Sequence, residues 1–285
     1  MEVKVFAPAK INLMLDVTGK RTDGYHTLTT IMQSISLGDI LTITEQRNNL
    51  ITVKSNAESI PTDESNIAYK AAEKFAEYTN VQCNGLDIYI EKNIPSQAGL
   101  GGGSADAAAV LVGLNYMFQT QLSMEQLCDI GVSIGADVPF CLLGGTKLCK
   151  GIGEIITEIF PLEHCHIVVA KGNTGISTQS AFKKIDKVGF ENLSDYSKYN
   201  GSVQSVKSIG YNRFELVADN NEVEFIKNKM SYMNAAYSAM SGSGSAVFGL
   251  FIEKNDAQRC IDKFNDCNIF SALCYPIDYG SIVLL

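Results

Sequence analysis

Ile94-Pro-Ser-Gln-Ala-Gly-Leu-Gly-Gly-Gly-Ser-Ala-Asp106 joins two segments of opposite periodicity. Before it, Leu86, Ile88 and Ile90 alternate as a strand does; after it, an alanine-rich run predicts a helix over roughly Ser104 to Phe118. Gly99, Gly101, Gly102 and Gly103 therefore fall where a strand turns into a helix. Glycines there let the backbone approach a ligand and turn its N–H groups inward, and the helix start adds partial positive charge. That combination suits a phosphate. A merely flexible turn is the plain alternative, but the helix follows directly and the loop carries no charge of its own. No Gly-Lys-Ser/Thr occurs in the chain, which excludes a Walker A loop, and Gly-x-Gly-x-x-Gly cannot be placed in this segment, which excludes a Rossmann turn. A nucleotide loop of another type remains.

Working outward, Val3 to Ala7 and Ile11 to Val17 read as two strands separated by a bend at Pro8. Asp23-Gly24 marks a turn, and Ile35 to Thr44 resumes strand-rich sequence, so the first 55 residues predict an antiparallel set. Asn66 opens a helical pattern of about four turns through Ala76. Ser123-Met-Glu-Gln126 has the form of a capping box, with Gly131 or Gly135 ending the helix it starts. Gly135-Ala-Asp-Val-Pro139 reads as a loop leading into glycine-punctuated strands. The composition shifts around Gly151 to Pro161, where a domain boundary is expected. Beyond it come a strand at Ile167 to Ala170, a helical segment from Ser177 to Ile185, and a polar stretch from Glu191 to Ser208 expected as loop or short helices. A helix at Asn221 to Met233, strands at Ala246 to Phe251 and Ala272 to Pro276, and a helix at Asp256 to Phe264 complete a small unit of helices on an antiparallel sheet.

Composition narrows the function classes. With 46% apolar and 19% charged residues the chain is globular, and 23 basic against 31 acidic residues leave a net charge of −8 and no basic run to track nucleic acid. The N-terminus alternates charged and apolar residues, unlike a signal peptide, and points to the cytosol. The longest apolar stretch, Ala107 to Leu114, is far below the roughly 18 residues of a membrane span. Eight cysteines show no C-x-x-C spacing, which favours free thiols, and the sequons at Asn192 and Asn200 carry no weight in such a compartment.

Two residues stand as lone charges in apolar or small surroundings: Lys10 in Ala7-Pro-Ala-Lys-Ile-Asn-Leu13 and Asp137 in Gly-Ala-Asp-Val-Pro-Phe140. Such a carboxylate can take a proton from a substrate hydroxyl while a nearby cation keeps it ionised. A helix-capping aspartate and a snorkelling surface lysine are the bland alternatives. Tyr25-His26, directly after a turn, offers a ring and an imidazole to a planar base, or is plain hairpin surface. His164-Cys-His166 is a weak metal pattern, better read as the flank of a strand. Met240-Ser-Gly-Ser-Gly-Ser-Ala-Val-Phe248 is a glycine-serine turn entering a strand, placed to line a site.

Together these segments resemble the GHMP kinases. Pro8-Ala-Lys-Ile-Asn-Leu13, Pro95-Ser-Gln-Ala-Gly-Leu-Gly-Gly-Gly-Ser-Ala105 and Ser241-Gly-Ser-Gly-Ser-Ala-Val-Phe248 match in order across essentially the whole chain. Lys20-Arg-Thr-Asp-Gly-Tyr-His-Thr-Leu28 and Gly135-Ala-Asp-Val-Pro139 are most similar to the branch acting on a cytidine diphosphate derivative of methylerythritol, in the non-mevalonate route to isoprenoids. The resemblance implies an α+β, two-domain fold: an N-terminal ATP-binding α/β domain with a ribosomal-protein-like βαβ unit over 1–155, and a ferredoxin-like C-terminal domain over 156–285. It implies a cytoplasmic ATP-dependent kinase that uses Mg2+, takes a small-molecule substrate, is a monomer or homodimer, and phosphorylates the 2-hydroxyl.

By the same likeness Asp137 is the general base and Lys10 holds it and the hydroxyl, with Asn12 beside them. Tyr25 and Phe182 sandwich the cytosine, His26 bonds its edge, and Thr178 lies near the pyrophosphate or ribose. Pro95, Ser96, Gln97, Ala98, Gly99, Leu100, Gly101, Gly102, Gly103, Ser104 and Ala105 wrap the ATP phosphates, with Asn66 and Asp106 on the nucleoside side. By the same likeness Ser104 faces the phosphates or the magnesium; no acidic magnesium ligand is evident by motif, so how the metal is held stays open. The chain departs from many relatives in carrying serines at 241 and 243 for threonine, which keeps the hydroxyls. A kinase for mevalonate or homoserine is the competing enzyme, a catalytically silent nucleotide or metabolite sensor the competing non-enzyme, and a nucleotide-linked oxidoreductase a distant third.

Overall fold

A computed structural model describes residues 1–81, 85–190 and 195–284. Two long strands organise it: β1 (Glu2–Lys20) and β2 (His26–Glu45) run antiparallel from Glu2 opposite Thr44 to Lys20 opposite His26. They are joined by the Asp23-Gly24 turn, in which Asp23 accepts from the Tyr25 N–H at 3.1 Å. The bend expected at Pro8 is absent, and β1 is one strand. Proline's missing donor is accommodated by a register shift between Pro8 and Lys10, which turns the Lys10 N–H away from β2 to donate to Leu100 O at 3.0 Å. The bulge thus ties the strand to the glycine-rich loop.

The chain continues through β3 (Ile51–Ser55), α1 (Ile67–Thr79), β4 (Leu86–Glu91), α2 (Gly102–Met117), α3 (Met124–Ile134), α4 (Val138–Leu143), β5 (Thr146–Gly151) and β6 (Ile155–Glu158). β3 and β4 pair parallel across α1, and β5 pairs with the first half of β2. Then follow β7 (His166–Lys171), α5 (Thr178–Val188), α6 (Val203–Ile209), α7 (Asn221–Tyr232), β8 (Tyr237–Met240), β9 (Val247–Phe251), α8 (Lys254–Asn265), β10 (Phe270–Cys274) and β11 (Ile282–Leu284). Among the described residues these form a seven-stranded sheet ordered β11-β1-β2-β4-β3, with β5 attached to β2 and β6 to β5, and an antiparallel four-stranded sheet ordered β10-β7-β9-β8. None of their helices is long and apolar enough to cross a membrane.

α2 is buried on most of its surface because alanines 105, 107, 108 and 109 let it pack closely on β1 and α1. It starts at Gly102, earlier than the alanine run suggests, and so takes two glycines into its first turn. The expected capping box opens α3, which ends at Gly135. The segment after Gly135 differs from expectation: Val138–Leu143 is a short helix, entered by Pro139, whose fixed φ and missing N–H suit a first turn. Of the polar stretch 191–208, residues 191–194 lie outside the described residues, as does Cys83. The rest forms a 3₁₀ turn at Tyr196–Lys198 and α6, anchored by buried Val203, Val206 and Ile209.

Two apolar clusters fill the molecule, and Leu15 and Val17 at the far end of β1 belong to the second, with Val168, Ile185 and Phe251. At that seam Arg213 Nε donates to Asp16 at 2.6 Å, both groups buried, and Arg213 Nη1 donates to Gly189 O at 3.2 Å, at the end of α5. A buried ion pair of this kind fixes geometry more than it adds stability.

Candidate active site

One cleft of about 940 Å³ runs from the glycine-rich loop to the β1–β2 turn, and every residue to which the family likeness gave a catalytic, ATP-binding or substrate-binding role, except Ala105, lines it. In its wall Lys10 Nζ stands 3.6 Å from Asp137 Oδ2. The lysine is buried, and its ammonium also donates to Asn12 Oδ1 at 2.7 Å; Asn12 Nδ2 in turn donates to Thr30 Oγ1 at 2.8 Å, and Thr30 to Met14 O at 2.6 Å. This chain of bonds sets the Lys10 and Asn12 side chains in one arrangement. Asp137 occupies the capping position of α4, yet its side chain makes no capping bond, so the carboxylate is available to Lys10 and the cleft. Buried Lys10 is likewise no snorkelling surface lysine.

The glycine-rich loop is fastened on two sides. Lys10 N–H holds Leu100 O, while Ser241 Oγ donates to Gly99 O at 2.9 Å and Ala246 N–H to Ala98 O at 3.0 Å. Gly99 has φ +74°, and a Cβ there would stand 2.0 Å from Ser241 O; at Gly101, φ +71°, it would stand 2.9 Å from Lys10 Cγ. Both positions need glycine for conformation and for space. α2 begins immediately beyond, and the N–H groups of its first turn, from Gly102, Gly103 and Ser104, have no partners within the helix. A helix start with free N–H groups suits this end of the cleft to an anion.

Beside them lies a group that sequence reasoning missed. Lys92 Nζ sits 2.5 Å from Asp39 Oδ2 and 2.7 Å from Asp106 Oδ2, all three nearly out of solvent. Asp39 Oδ1 also accepts from the N–H groups of Asn93 and Ile94, anchoring the entry to the loop. Burial pushes the Asp106 carboxyl well above the usual carboxylate range, and its Oδ1 has no protein partner. Asn66 lies on the same side, but its Oδ1 caps α1 through Ala68 N–H and its Nδ2 donates to Pro61 O at 2.6 Å. Its role in the fold is therefore structural as well.

At the other end Tyr25 is 60% exposed, while His26 is buried and stacked on Phe182, ring centroids 4.6 Å apart and planes 20° from parallel. Phe182 meets Phe214 edge-on at 4.9 Å. Asp186, also missed from sequence, accepts from His26 Nε2 at 2.7 Å and pairs with Lys20 at 2.5 Å. Thr178 Oγ1 and Ser243 Oγ are 2.8 Å apart, so α5 touches the same glycine-serine turn that holds the phosphate loop. The His164 and His166 rings meet edge-on at the start of β7, their centroids 5.6 Å apart. No group of three His, Cys, Asp or Glu that could hold a metal gathers among the described residues.

The GHMP kinases N terminal domain model matches residues 66–145, which hold the loop and Asp137, and the GHMP kinases C terminal model matches 216–269. A 4-diphosphocytidyl-2-C-methyl-D-erythritol kinase of Clostridium tetani is 41% identical over 274 residues, covering 92% of this chain and 95% of its own. The kinase of that name from Caldicellulosiruptor saccharolyticus is 44% identical over 264 residues, covering 90% and 91%. A crystal structure of 4-(cytidine 5'-diphospho)-2C-methyl-D-erythritol kinase superposes with a TM-score of 0.77 at 29% identity, over 97% of this chain and 99% of that one. A homoserine kinase from Cytophaga hutchinsonii superposes at 0.75 with 18% identity, over 99% and 97%, a likeness of fold alone.

Proposed function

The chain belongs to the GHMP kinases, and from that premise we propose that its Lys10–Asp137 pair drives transfer of the γ-phosphoryl group of ATP to the 2-hydroxyl of 4-diphosphocytidyl-2-C-methyl-D-erythritol. The protein is an ATP-dependent small-molecule kinase of the non-mevalonate route to isoprenoids. What carries the mechanistic reading is the 3.6 Å approach of a buried ammonium to a carboxylate, in a cleft that the glycine-rich loop and the aromatic residues Tyr25, His26 and Phe182 also line.

Phosphoryl transfer asks chiefly for positioning and charge neutralisation. Asp137 accepts the hydroxyl proton as the oxygen attacks the γ-phosphorus and ADP leaves. Lys10 offsets the charge that develops between carboxylate, oxygen and phosphoryl group, and Asn12 fixes the lysine. The first turn of α2 and the loop N–H groups hold the phosphates. A bound magnesium ion would supply charge neutralisation at the ATP phosphates. The donor set here, a Ser104 hydroxyl beside an open cleft, fits a cation held mostly by phosphate oxygens and water. Asn66 and Asp106 border the nucleoside, Tyr25 and Phe182 flank the cytosine, His26 bonds its edge, and Thr178 faces the diphosphate. The described cysteines are free thiols, which agrees with a cytoplasmic enzyme.

The test is ADP release with ATP, magnesium and 4-diphosphocytidyl-2-C-methyl-D-erythritol, run beside mevalonate and homoserine. Release with the cytidine compound alone is expected. Phosphorylation of either small alcohol, or none of the three, overturns the reading.

A further inference from the structure

Phe182 and Asp186 stand four residues apart on α5 and so share the face that meets His26. One contributes the ring stacked on the imidazole; the other takes the hydrogen bond from Nε2 at 2.7 Å. The second Asp186 oxygen is held by Lys20 at the end of β1, 2.5 Å away, so the carboxylate is fixed between two strands and a helix. His26 and then Lys20, by hydrogen bonding, hold the Asp186 carboxyl below the usual carboxylate range, so it is an ionised acceptor. Nε2 must then be the donor. In the neutral imidazole that leaves Nδ1 with a lone pair and no proton, and it has no partner among the described residues.

We propose that Asp186 is a positioning residue that sets the preference for cytosine, by keeping the His26 proton on Nε2 and presenting Nδ1 as a hydrogen-bond acceptor. This rests on the cytidine reading above. Because the His26 and Phe182 planes are within 20° of parallel, a base lying edge-to-edge with His26 also lies parallel to Phe182. A cytosine in that plane offers its exocyclic amino group to Nδ1. A uracil offers a carbonyl oxygen at the same place, and two lone pairs then face each other. Sites that demand a particular donor discriminate far more sharply than apolar pockets do.

The experiment compares kcat/KM for the cytidine substrate and its uridine counterpart in the wild type and Asp186→Asn. Asparagine keeps the shape but can donate to Nε2 as readily as accept from it, which frees the other tautomer. The wild type is expected to favour cytidine by on the order of 100-fold, and the variant to narrow that ratio by about tenfold, mainly through KM. A loss that falls equally on both substrates marks a merely structural role and overturns the proposal. So does a wild type without base preference. Nitrogen NMR of the labelled imidazoles in the ligand-free protein reads the tautomer directly, and only three histidines need assigning. A proton on Nε2 alone is expected for His26; a proton on Nδ1 overturns the proposal whatever the kinetics. If the wild type fails to phosphorylate the cytidine compound, the cytidine reading falls first, whereas activity with an unchanged ratio defeats only the role of Asp186.

Discussion

The two ends of the cleft are built differently. At the phosphate end the loop is held by backbone and buried side chains from three parts of the chain: the β1 bulge at Lys10, the Asp39–Lys92–Asp106 group, and the turn at Ser241 to Ala246. At the proposed base end Tyr25 is open to solvent, and α5, which carries Phe182, is anchored by two buried residues, Ala181 and Ile185. In the proposed transfer, charge develops in the transition state at the first end, where dipoles must be in place beforehand. The second end need only bind. Mutations at the Lys10–Asp137 pair should therefore act on turnover, those at the phosphate end on folding and KM for ATP, and those at the base end on affinity for the cytidine substrate.

The sharpest test of that division is Asp137→Asn, which keeps shape and removes the proton acceptor. Turnover should fall by roughly 10²–10⁴-fold with KM for the cytidine substrate much less changed. Steady-state kinetics of the purified variant decide it, and near wild-type turnover removes Asp137 from the chemistry. Next is Gly99→Ala, which places a Cβ 2.0 Å from Ser241 O at a φ of +74°. Strain of this kind costs on the order of 1–3 kcal/mol. A lower melting temperature and a raised KM for ATP should appear together, with the cytidine KM little altered.

Legibility in the sequence follows the same division. The glycine-rich loop could be read because its chemistry is local, a run of residues whose spacing already implies a strand, a turn and a helix end. Lys10 and Asp137 stood out by their apolar surroundings, but 127 positions separate them and only the fold brings them within 3.6 Å. Thr30, Asp39, Lys92 and Asp186 carried no signal at all, since each is an ordinary polar residue until a partner from another strand or helix meets it. The bend expected at Pro8 and the loop expected over Gly135 to Pro139 give way to a bulge and a helix first turn, both of which tolerate a proline. Phe182 came only from family likeness, and Asp186, one helical turn on, was left unread.

At the base end Phe182→Ala removes the ring that faces His26. Base–aromatic stacking is worth about 1–3 kcal/mol, so KM for the cytidine substrate should rise by on the order of 10- to 100-fold. Turnover at saturation and KM for ATP should change little. If kcat falls as much as KM rises, the base end is coupled to the chemistry and the division fails.

The smallest expected effect is the most direct test of how rigid the phosphate end needs to be. Ser241→Ala deletes the hydroxyl that donates to Gly99 O and leaves the neighbouring Ala246 N–H bond to Ala98 O in place. One lost hydrogen bond of this type is worth about 0.5–1.5 kcal/mol. Because the loop keeps its other fasteners, the loss should show as a few-fold rise in KM for ATP with an unchanged KM for the cytidine substrate. Ser241→Thr, which restores a hydroxyl, should recover the wild-type value. A defect confined to the cytidine KM would mean that the glycine-serine turn acts through Thr178 and α5, which its Ser243 also touches, and not through the phosphate loop.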